Sequence, residues 1–251
     1  MSVADTDRST RVAIVTGVSR GLGAALAAEC LARGYRVLGI GRSSAAALQG
    51  PAYTFVACDL VDAASIDAAG ADAFATLAAS RPTHATLVNN AATAGPAGVF
   101  GALGSTDIAA SIAANLAAPA ALANLFCRTF ADPACDRRIV NVSSGAAERN
   151  IAGAALYCTA KAGLEMLTRA IAADHPGSSL VAITLRPGII DTGMQVFMRS
   201  QPAETLPSVG MFRDFHAKGA LVAAEIVARK TVDRLLEGRV EPGRTYSYAE
   251  L

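Results

Sequence analysis

The sequence predicts an α/β protein built on a single doubly wound parallel sheet with helices on both faces. Short runs rich in β-branched residues alternate with longer alanine-rich stretches, as they do in βαβ units. A glycine-rich turn follows the first run, and 52% of the 251 residues are apolar, enough for a large core. No linker rich in glycine, proline and serine divides the chain. We therefore predict a disordered polar tail at 1–10 and one domain at 11–251.

The predicted strands are short, apolar runs with many β-branched side chains, as expected for strands buried on both faces. They lie at 11–16, 36–40, 53–58, 85–89, 138–142 and 180–185. The predicted helices between them lie at 22–33, 63–80, 106–130 and 155–174. A last helix at 221–236 and a short strand at 245–248 complete the predicted fold.

One uncharged stretch, 108–127, is long enough to span a bilayer. It is rich in alanine, which gains little from lipid, and it contains Asn115, Pro119 and Asn124. Burying an amide without a partner costs about 2–7 kcal/mol. We therefore predict a helix buried in the protein or in a subunit interface, and no membrane contact.

Charge and cysteine content exclude several function classes. Lys and Arg total 22 against 21 for Asp and Glu, which argues against nucleic-acid binding through counterion release. The five cysteines are odd in number and have no metal-site spacing, and the three histidines are isolated. These features predict reduced thiols, no metal site and a cytoplasmic protein. The polar start has no apolar signal segment, which agrees with that location.

Residues 16–23 read TGVSRGLG and lie between the first predicted strand and a helix. Glycines permit a tight turn and close approach to a ligand, and the first helical turn presents free N–H groups to a pyrophosphate. In this position the pattern is typical of dinucleotide binding, although a tight packing turn is the alternative. The second strand ends in Gly41-Arg42 without the carboxylate that usually binds an NAD ribose. Arg42 and Arg20 therefore predict a 2′-phosphate site and NADP(H).

Tyr157 and Lys161 are four residues apart in a predicted helix and so share one face. An ammonium about 5 Å from a phenol, at an effective dielectric near 20, is worth roughly 3 kcal/mol or about two pKa units. The spacing thus predicts a tyrosine with a lowered pKa that exchanges a proton with a carbonyl oxygen. Ser143 and Ser144 end a predicted strand, where ligands bind in such sheets.

Taken together, these motifs resemble the classical short-chain dehydrogenases/reductases, over nearly the whole chain. The likeness rests on TGVSRGLG at 16–23, Asp59-Leu60, NNAA at 89–92, Asn115, Ser144, YCTAK at 157–161 and Pro187-Gly188. The resemblance implies a Rossmann fold with Asn115, Ser144, Tyr157 and Lys161 as the catalytic residues. It implies these cofactor-binding residues: Gly17, Ser19, Arg20, Gly21, Leu22, Gly23, Arg42, Asp59, Leu60, Asn90, Ala91, Tyr157, Lys161, Pro187, Gly188, Ile190 and Thr192.

The resemblance also implies a role for each catalytic residue. Tyr157 is the general acid in reduction, and Ser144, thirteen residues before it, positions the carbonyl. Lys161 lowers the pKa of the tyrosine and holds the nicotinamide ribose, while Asn115 keeps a water of a proton relay. Pro119 supports the last role, because a proline has no N–H and leaves the carbonyl of Asn115 without its helical partner.

More narrowly, the stretches at 157–163 and 187–195 are similar to the sepiapterin-reductase-like and benzil-reductase-like branch. This implies an NADPH-dependent reductase of a ketone or 1,2-diketone that forms a homodimer or homotetramer. One alternative is a 3-oxoacyl-thioester reductase, with Arg137 and Arg138 docking an acidic carrier. Another is a non-catalytic NADP-binding sensor or scaffold. The sequence departs from the family at Arg186, where asparagine is frequent.

The segment 192–218 interrupts the alternation of strands and helices. It contains Pro202 and Pro207, and its adaptable apolar residues are Met194, Phe197, Met198, Met211, Phe212 and Phe215. It is interpreted either as a mobile lid over an apolar substrate or as a surface insertion with a small core of its own. Glu148 and Arg149, near the expected pocket mouth, are predicted to form a solvated pair, with substrate contact as the alternative.

Overall fold

The computed structural model describes residues 10–251, so only Thr10 of the predicted tail lies within it. Seven strands form one sheet in the order β3-β2-β1-β4-β5-β6-β7, and all neighbouring strands run parallel. They are β1 (Arg11–Thr16), β2 (Arg36–Gly41), β3 (Tyr53–Ala57), β4 (His84–Asn89), β5 (Asp136–Val142), β6 (Leu180–Arg186) and β7 (Thr245–Ser247). The strand order reverses between β1 and β4, which opens a crevice at their carboxyl ends. The predicted doubly wound sheet is confirmed.

Helices cover both faces of this sheet. They are α1 (Gly21–Ala32), α2 (Ala63–Ala79), α3 (Ser105–Ile112), α4 (Ala118–Thr129), α5 (Ala155–Asp174), α6 (Gly193–Ser200), α7 (Val209–Ala217) and α8 (Ala224–Thr231). Short 3₁₀ turns at Gly145–Ala147 and Tyr248–Glu250 follow β5 and β7. The predicted strand and helix boundaries therefore differ from these by a few residues at most, except where a helix is interrupted.

Two cores lie on opposite faces of the sheet because side chains alternate along each strand. In β1, Val12 and Ile14 belong to the core beneath α2 and α4. Ala13 and Val15 belong to the core beneath α1 and α8. The strands are thus apolar on both faces, which is the pattern that identified them in the sequence.

The predicted helix 106–130 is divided by a π turn at Ala113–Ala117. Pro119 lies in the first turn of α4, just after the π turn. A proline inside a helix has no N–H and its ring clashes with the carbonyl four residues earlier, which is Asn115. The wider turn accommodates this local defect, as π bulges commonly do.

Across this π turn, Ser105–Thr129 is the one stretch in the described chain that is long and apolar enough to cross a membrane. Its second half packs against α2 and β4. Leu122 and Phe126 are completely buried there, and Asn89 Nδ2 donates to the carbonyl of Pro119 over 3.2 Å. Packing against the sheet buries 39% of the most apolar stretch of this helix and leaves the rest of that stretch partly or fully exposed on the single chain.

The segment after β6 contains two ordered helices, α6 and α7, which the prolines did not predict. Pro202 and Pro207 both lie in the connection between the helices, where neither removes a helical hydrogen bond. Met198, Leu206 and Phe212 pack with Ile151 and Tyr157 in a third, smaller core. The segment therefore has the core expected of an insertion and also contacts the candidate catalytic tyrosine.

Candidate active site

A cavity of about 1260 Å³ opens at the carboxyl ends of the central strands. Nearly every residue assigned to catalysis or to a nucleotide lines it. These are Gly17, Ser19, Arg20, Gly21, Leu22, Gly23, Arg42, Asp59, Leu60, Asn90, Ala91, Ser144, Tyr157, Lys161, Pro187, Gly188, Ile190 and Thr192. Asn115 is the exception, since it is fully buried while Ser111 and Ala114 of the same segment reach the cavity.

The glycine-rich turn after β1 leaves no room for a side chain at Gly17 or at Gly23. A Cβ on Gly23 would lie 2.2 Å from the carbonyl oxygen of Gly17, and a Cβ on Gly17 would lie 2.9 Å from Cα of Ala91. Asn90 braces the turn, because its Nδ2 donates to the carbonyl of Thr16 over 2.9 Å. Thr16 Oγ1 in turn accepts from the backbone N–H groups of Asn90 and Ala91, each over 2.9 Å.

The start of α1 fits the pyrophosphate of a dinucleotide. Arg20 precedes the helix, and within the described chain its side chain makes no capping hydrogen bond to the first turn. The N–H groups of that turn have no partners within the helix, and they carry the positive end of the helix dipole. A helix start framed by glycines that tolerate no Cβ is a suitable site for a phosphate group.

The two arginines predicted to bind a 2′-phosphate point to different parts of the cavity. Arg42 is exposed directly after β2, and the described end of that strand carries no carboxylate. The guanidinium carbon of Arg20 lies 3.5 Å from the position of a Cβ on Gly193, at the start of α6. Arg20 therefore reaches across the cavity towards the segment after β6, and Arg42 is the better placed of the two for a ribose phosphate.

Tyr157 and Lys161 lie together on the buried face of α5, as their spacing predicts. Lys161 Nζ is 5.6 Å from the centroid of the Tyr157 ring and donates to the carbonyl of Val142 over 2.7 Å. Ser144 caps the 3₁₀ turn that follows β5, where its Oγ accepts from the N–H of Ala146 over 3.2 Å. The end of β5 and the first half of α5 thus bring a serine, a tyrosine and a lysine to one wall of the cavity.

The expected lowering of the tyrosine pKa is wrong for this arrangement. Burial raises the pKa of Tyr157 to about 12, and the neighbouring Ser144 hydroxyl offsets only part of that rise. Burial also lowers the pKa of Lys161 to about 8. The loss of hydration disfavours the charged form of each group, and the hydrogen bond of Lys161 goes to Val142 instead of to the phenol.

Asn115 holds the loop after β4 instead of facing the cavity. Its Oδ1 accepts from the N–H of Thr93 and its Nδ2 donates to the carbonyl of Thr93, both over 2.9 Å. Nδ2 also donates to Ser111 Oγ over 3.4 Å. The side chain therefore supports the cavity wall, and the role of its carbonyl in a water relay stays a prediction.

A charged network missed by the sequence analysis lies behind the serine. Arg186 forms a forked pair with Glu165, with Nε–Oε1 and Nη2–Oε2 distances of 2.8 and 2.6 Å. Glu165 Oε1 also accepts from Ser143 Oγ over 2.8 Å. Glu148 contacts Arg186 at 2.6 Å, so its predicted pairing with Arg149 is wrong. Glu165 could have been noticed as a charged residue four positions after Lys161 on the same helical face.

Arg137 and Arg138 are not available to dock an acidic carrier. They lie at the start of β5, at the opposite edge of the sheet from the cavity. Arg137 donates to the carbonyl of Phe130 and to Ser179 Oγ, and Arg138 donates to the carbonyls of Leu235 and Gly238. Both guanidinium groups therefore satisfy internal acceptors, and the proposed docking role is wrong.

The described chain shares this architecture with a known family. A family profile described as short chain dehydrogenase matches residues 11–203. The chain belongs to this family. It is therefore an oxidoreductase of a family that uses a nicotinamide cofactor on carbonyl or alcohol groups.

Two related proteins and one solved structure align with almost the whole of this short-chain dehydrogenase. A benzil reductase ((S)-benzoin forming) of Bacillus subtilis is 30% identical over 239 residues, which are 94% of this chain and 98% of the relative. A sepiapterin reductase of Meriones unguiculatus is 29% identical over 249 residues, 92% and 94% of the two chains. The crystal structure of KRED1-Pglu superposes with a TM-score of 0.83 at 25% identity, over 94% of this chain and 100% of the other.

Proposed function

We propose that this protein is an NADPH-dependent carbonyl reductase that reduces a bulky ketone or 1,2-diketone, with Tyr157 as the general acid. The observation that carries the proposal is the position of a buried phenol. Tyr157 lies beside Ser144 and Lys161, and it belongs to the same small core as the apolar side chains of α6 and α7. The benzil and sepiapterin reductases similar to this chain support a carbonyl substrate.

In this mechanism Tyr157 carries the proton that the product requires. Because burial raises the pKa of Tyr157 to about 12, the phenol is protonated at neutral pH. It remains a stronger acid than the alcohol product, so transfer of its proton to the developing alkoxide is favourable. Ser144 Oγ orients the carbonyl oxygen, and the ammonium of Lys161 stabilises the phenolate that remains.

The nicotinamide cofactor would supply the hydride to the carbonyl carbon. The turn around Gly17 and Gly23 would hold its pyrophosphate, and the segment from Pro187 to Thr192 would hold the nicotinamide end. Arg42 would pair with the 2′-phosphate through charge-assisted hydrogen bonds, which supports NADPH over NADH. No carboxylate stands at the described end of β2 to favour NADH.

The apolar wall of the cavity favours a bulky substrate. Met194, Met198, Met211, Phe212 and Phe215 line the cavity on the side of α6 and α7. Thioether and aromatic groups adapt to flat, aromatic ligands and exclude water from them. Desolvation of the site also strengthens the hydrogen bonds at the reacting oxygen.

A panel of carbonyl compounds, followed by oxidation of NADPH, tests the proposal. We expect turnover of diaryl and aryl-alkyl 1,2-diketones to exceed that of small ketones and of 3-oxoacyl thioesters. Preference for carrier thioesters would favour the rival reductase, although the inward-facing Arg137 and Arg138 argue against it. Binding of NADPH without turnover of any carbonyl would favour a sensor or scaffold.

We also propose that the protein is a cytoplasmic homodimer or homotetramer.

A further inference from the structure

We propose that the carboxylate of Glu165 is a positioning residue that holds the catalytic strand end, the Tyr157–Lys161 helix and the nicotinamide loop in one arrangement. The nicotinamide loop is defined here as residues 187–192, directly after β6. The inference rests on the proposed function for the role of that loop. It adds a residue that the family motifs in the sequence did not assign.

The first connection joins Glu165 to the end of β5. Ser143 Oγ donates to Glu165 Oε1 over 2.8 Å, and Ser143 is the residue directly before the catalytic serine, Ser144. Lys161 Nζ donates to the carbonyl of Val142, one residue earlier. Two side chains one helical turn apart on α5 therefore fix two consecutive residues of the strand end, which limits the freedom of Ser144.

The second connection joins Glu165 to the end of β6. Both carboxylate oxygens bind the guanidinium of Arg186, which is the last residue of β6 and precedes Pro187. A forked pair of this kind fixes the orientation of both partners as well as their separation. The position of the residue before the nicotinamide loop is thus determined by a side chain of the catalytic helix.

The two connections reinforce each other because the strand ends are also paired. Ser143 N donates to the carbonyl of Leu185 over 2.7 Å, so residues 143 and 185 are adjacent across the sheet. The Glu165 side chain is only 10% exposed, and a carboxylate buried to this extent is tolerated when it is fully paired. Glu148, which is 66% exposed, adds a third contact to Arg186 from the turn after Ser144.

Hydrogen–deuterium exchange of the protein without cofactor tests the arrangement independently of any activity. In Glu165→Gln we expect faster exchange in two segments that are distant in sequence, 143–149 and 186–192. The matched control is Glu29→Gln. Arg33 binds three carboxylates, those of Glu29, Asp233 and Glu237, next to the C-terminal end of α1. The control removes the first of them and leaves the other two in place. Unchanged exchange in either segment of Glu165→Gln would overturn the inference.

Binding separates positioning from a general loss of structure. In both Glu165→Gln and Arg186→Lys we expect the affinity for NADPH to fall about tenfold and kcat to fall about tenfold. Small misplacements of reacting groups are costly in rate. Affinity for 2′,5′-ADP, which lacks the nicotinamide half, should stay within about twofold of wild type. A parallel loss of both affinities would overturn the positioning role. If wild type itself fails to use NADPH, the proposed function fails, while the exchange experiment still decides the role of Glu165.

Should Glu165→Gln fail to fold, Arg186→Lys carries the same test. The lysine keeps the positive charge and loses the forked contact with Glu165. We expect it to loosen the same two segments to a smaller extent than Glu165→Gln. Exchange equal to that of wild type in Arg186→Lys would show that the fork contributes nothing to positioning.

Discussion

Tyr157 and Lys161 favour their neutral forms for the same physical reason. Burial removes water from both groups, which raises the pKa of the phenol to about 12 and lowers that of the amine to about 8. At neutral pH the phenol is therefore protonated. The lysine is mostly protonated only while the pH stays below about 8. In the proposed mechanism we therefore expect reduction to be faster below about pH 8 than above it.

The first prediction removes the proton donor. Tyr157→Phe keeps the aromatic ring that packs with Ile151 and Leu206 and loses only the hydroxyl. We expect reductase turnover to fall by at least about a thousandfold, since general acid catalysis and orientation are lost together, with the affinity for NADPH nearly unchanged. Steady-state kinetics and fluorescence titration measure the two effects. Turnover at the wild-type rate would refute the acid role.

The second prediction concerns stability and pH. The folded-state pKa of Lys161, about 8, lies below its ordinary value of 10.5, so the unfolded chain binds this proton more tightly. The resulting penalty is fully present below pH 8 and is relieved as the pH rises towards 10.5. Between about pH 7 and about pH 9.5, the free energy of unfolding of wild type should therefore gain about 2 kcal/mol relative to Lys161→Met. Urea denaturation of both proteins at both pH values measures this difference. An equal change in the free energy of unfolding of wild type and of Lys161→Met would contradict the prediction.

A third prediction separates the two arginines. Arg42→Ala should raise KM for NADPH about tenfold and leave KM for NADH unchanged, because only NADPH has a 2′-phosphate. Arg20→Ala should change KM for NADPH and KM for NADH by more similar factors, since the guanidinium of Arg20 lies beside Gly193. Initial rates with both cofactors measure this ratio. An equal loss with NADH in Arg42→Ala would show that Arg42 does not recognise the phosphate.

At the scale of elements, α6 and α7 form the apolar side of the substrate cavity. Phe215 lines the cavity and stacks edge-on against Phe212, with ring centroids 6.3 Å apart. We expect Phe215→Ala to lower kcat/KM about tenfold for a diaryl diketone and to change it little for a small ketone. Val196→Ala is the matched control, because Val196 lies on α6, is 55% exposed and does not line the cavity. An equal loss of kcat/KM for both substrates would show that Phe215 does not select for bulky ketones.

The sequence predicts regular elements better than their irregularities. The buried strands are identified by continuous β-branched runs, and β1 matches its predicted bounds. The π turn at Ala113–Ala117 was not predicted, because an alanine-rich stretch has too few large apolar residues to show where the helical period shifts. Pro202 and Pro207 indicated irregular structure, but α6 ends before them and α7 begins after them, and the two helices pack through Met198 and Phe212.

At the scale of the whole molecule, the sheet explains why so much of the candidate site was predictable. Motifs at strand ends meet at one edge whatever their distance in sequence, so the glycine turn, Ser144 and Pro187 share a cavity. Side-chain pairings across elements were not predictable in this way. The partners of Glu165, Arg138 and Asn115 come from elements that only the folded chain brings near.

A prediction at this scale concerns assembly. Met166 is 57% exposed on α5, and the neighbouring long helix at 105–129 is apolar beyond what its core face requires. Alanine-rich helices permit close approach of a second copy, so we expect a homodimer or homotetramer. Light scattering coupled to size exclusion gives the mass. A mass equal to that of one chain, 25.5 kDa, would contradict the prediction.

The cavity is continuous from Arg42 and Asp59 at one end to Met211 and Phe215 at the other. A single compound that tethers a nucleotide mimic to an aryl ketone would therefore occupy both ends at once. The tether would keep the second group at a high effective concentration once the first is bound, so the bivalent compound would bind more tightly than either fragment. Its selectivity would come from the end of the cavity that methionine and phenylalanine side chains line.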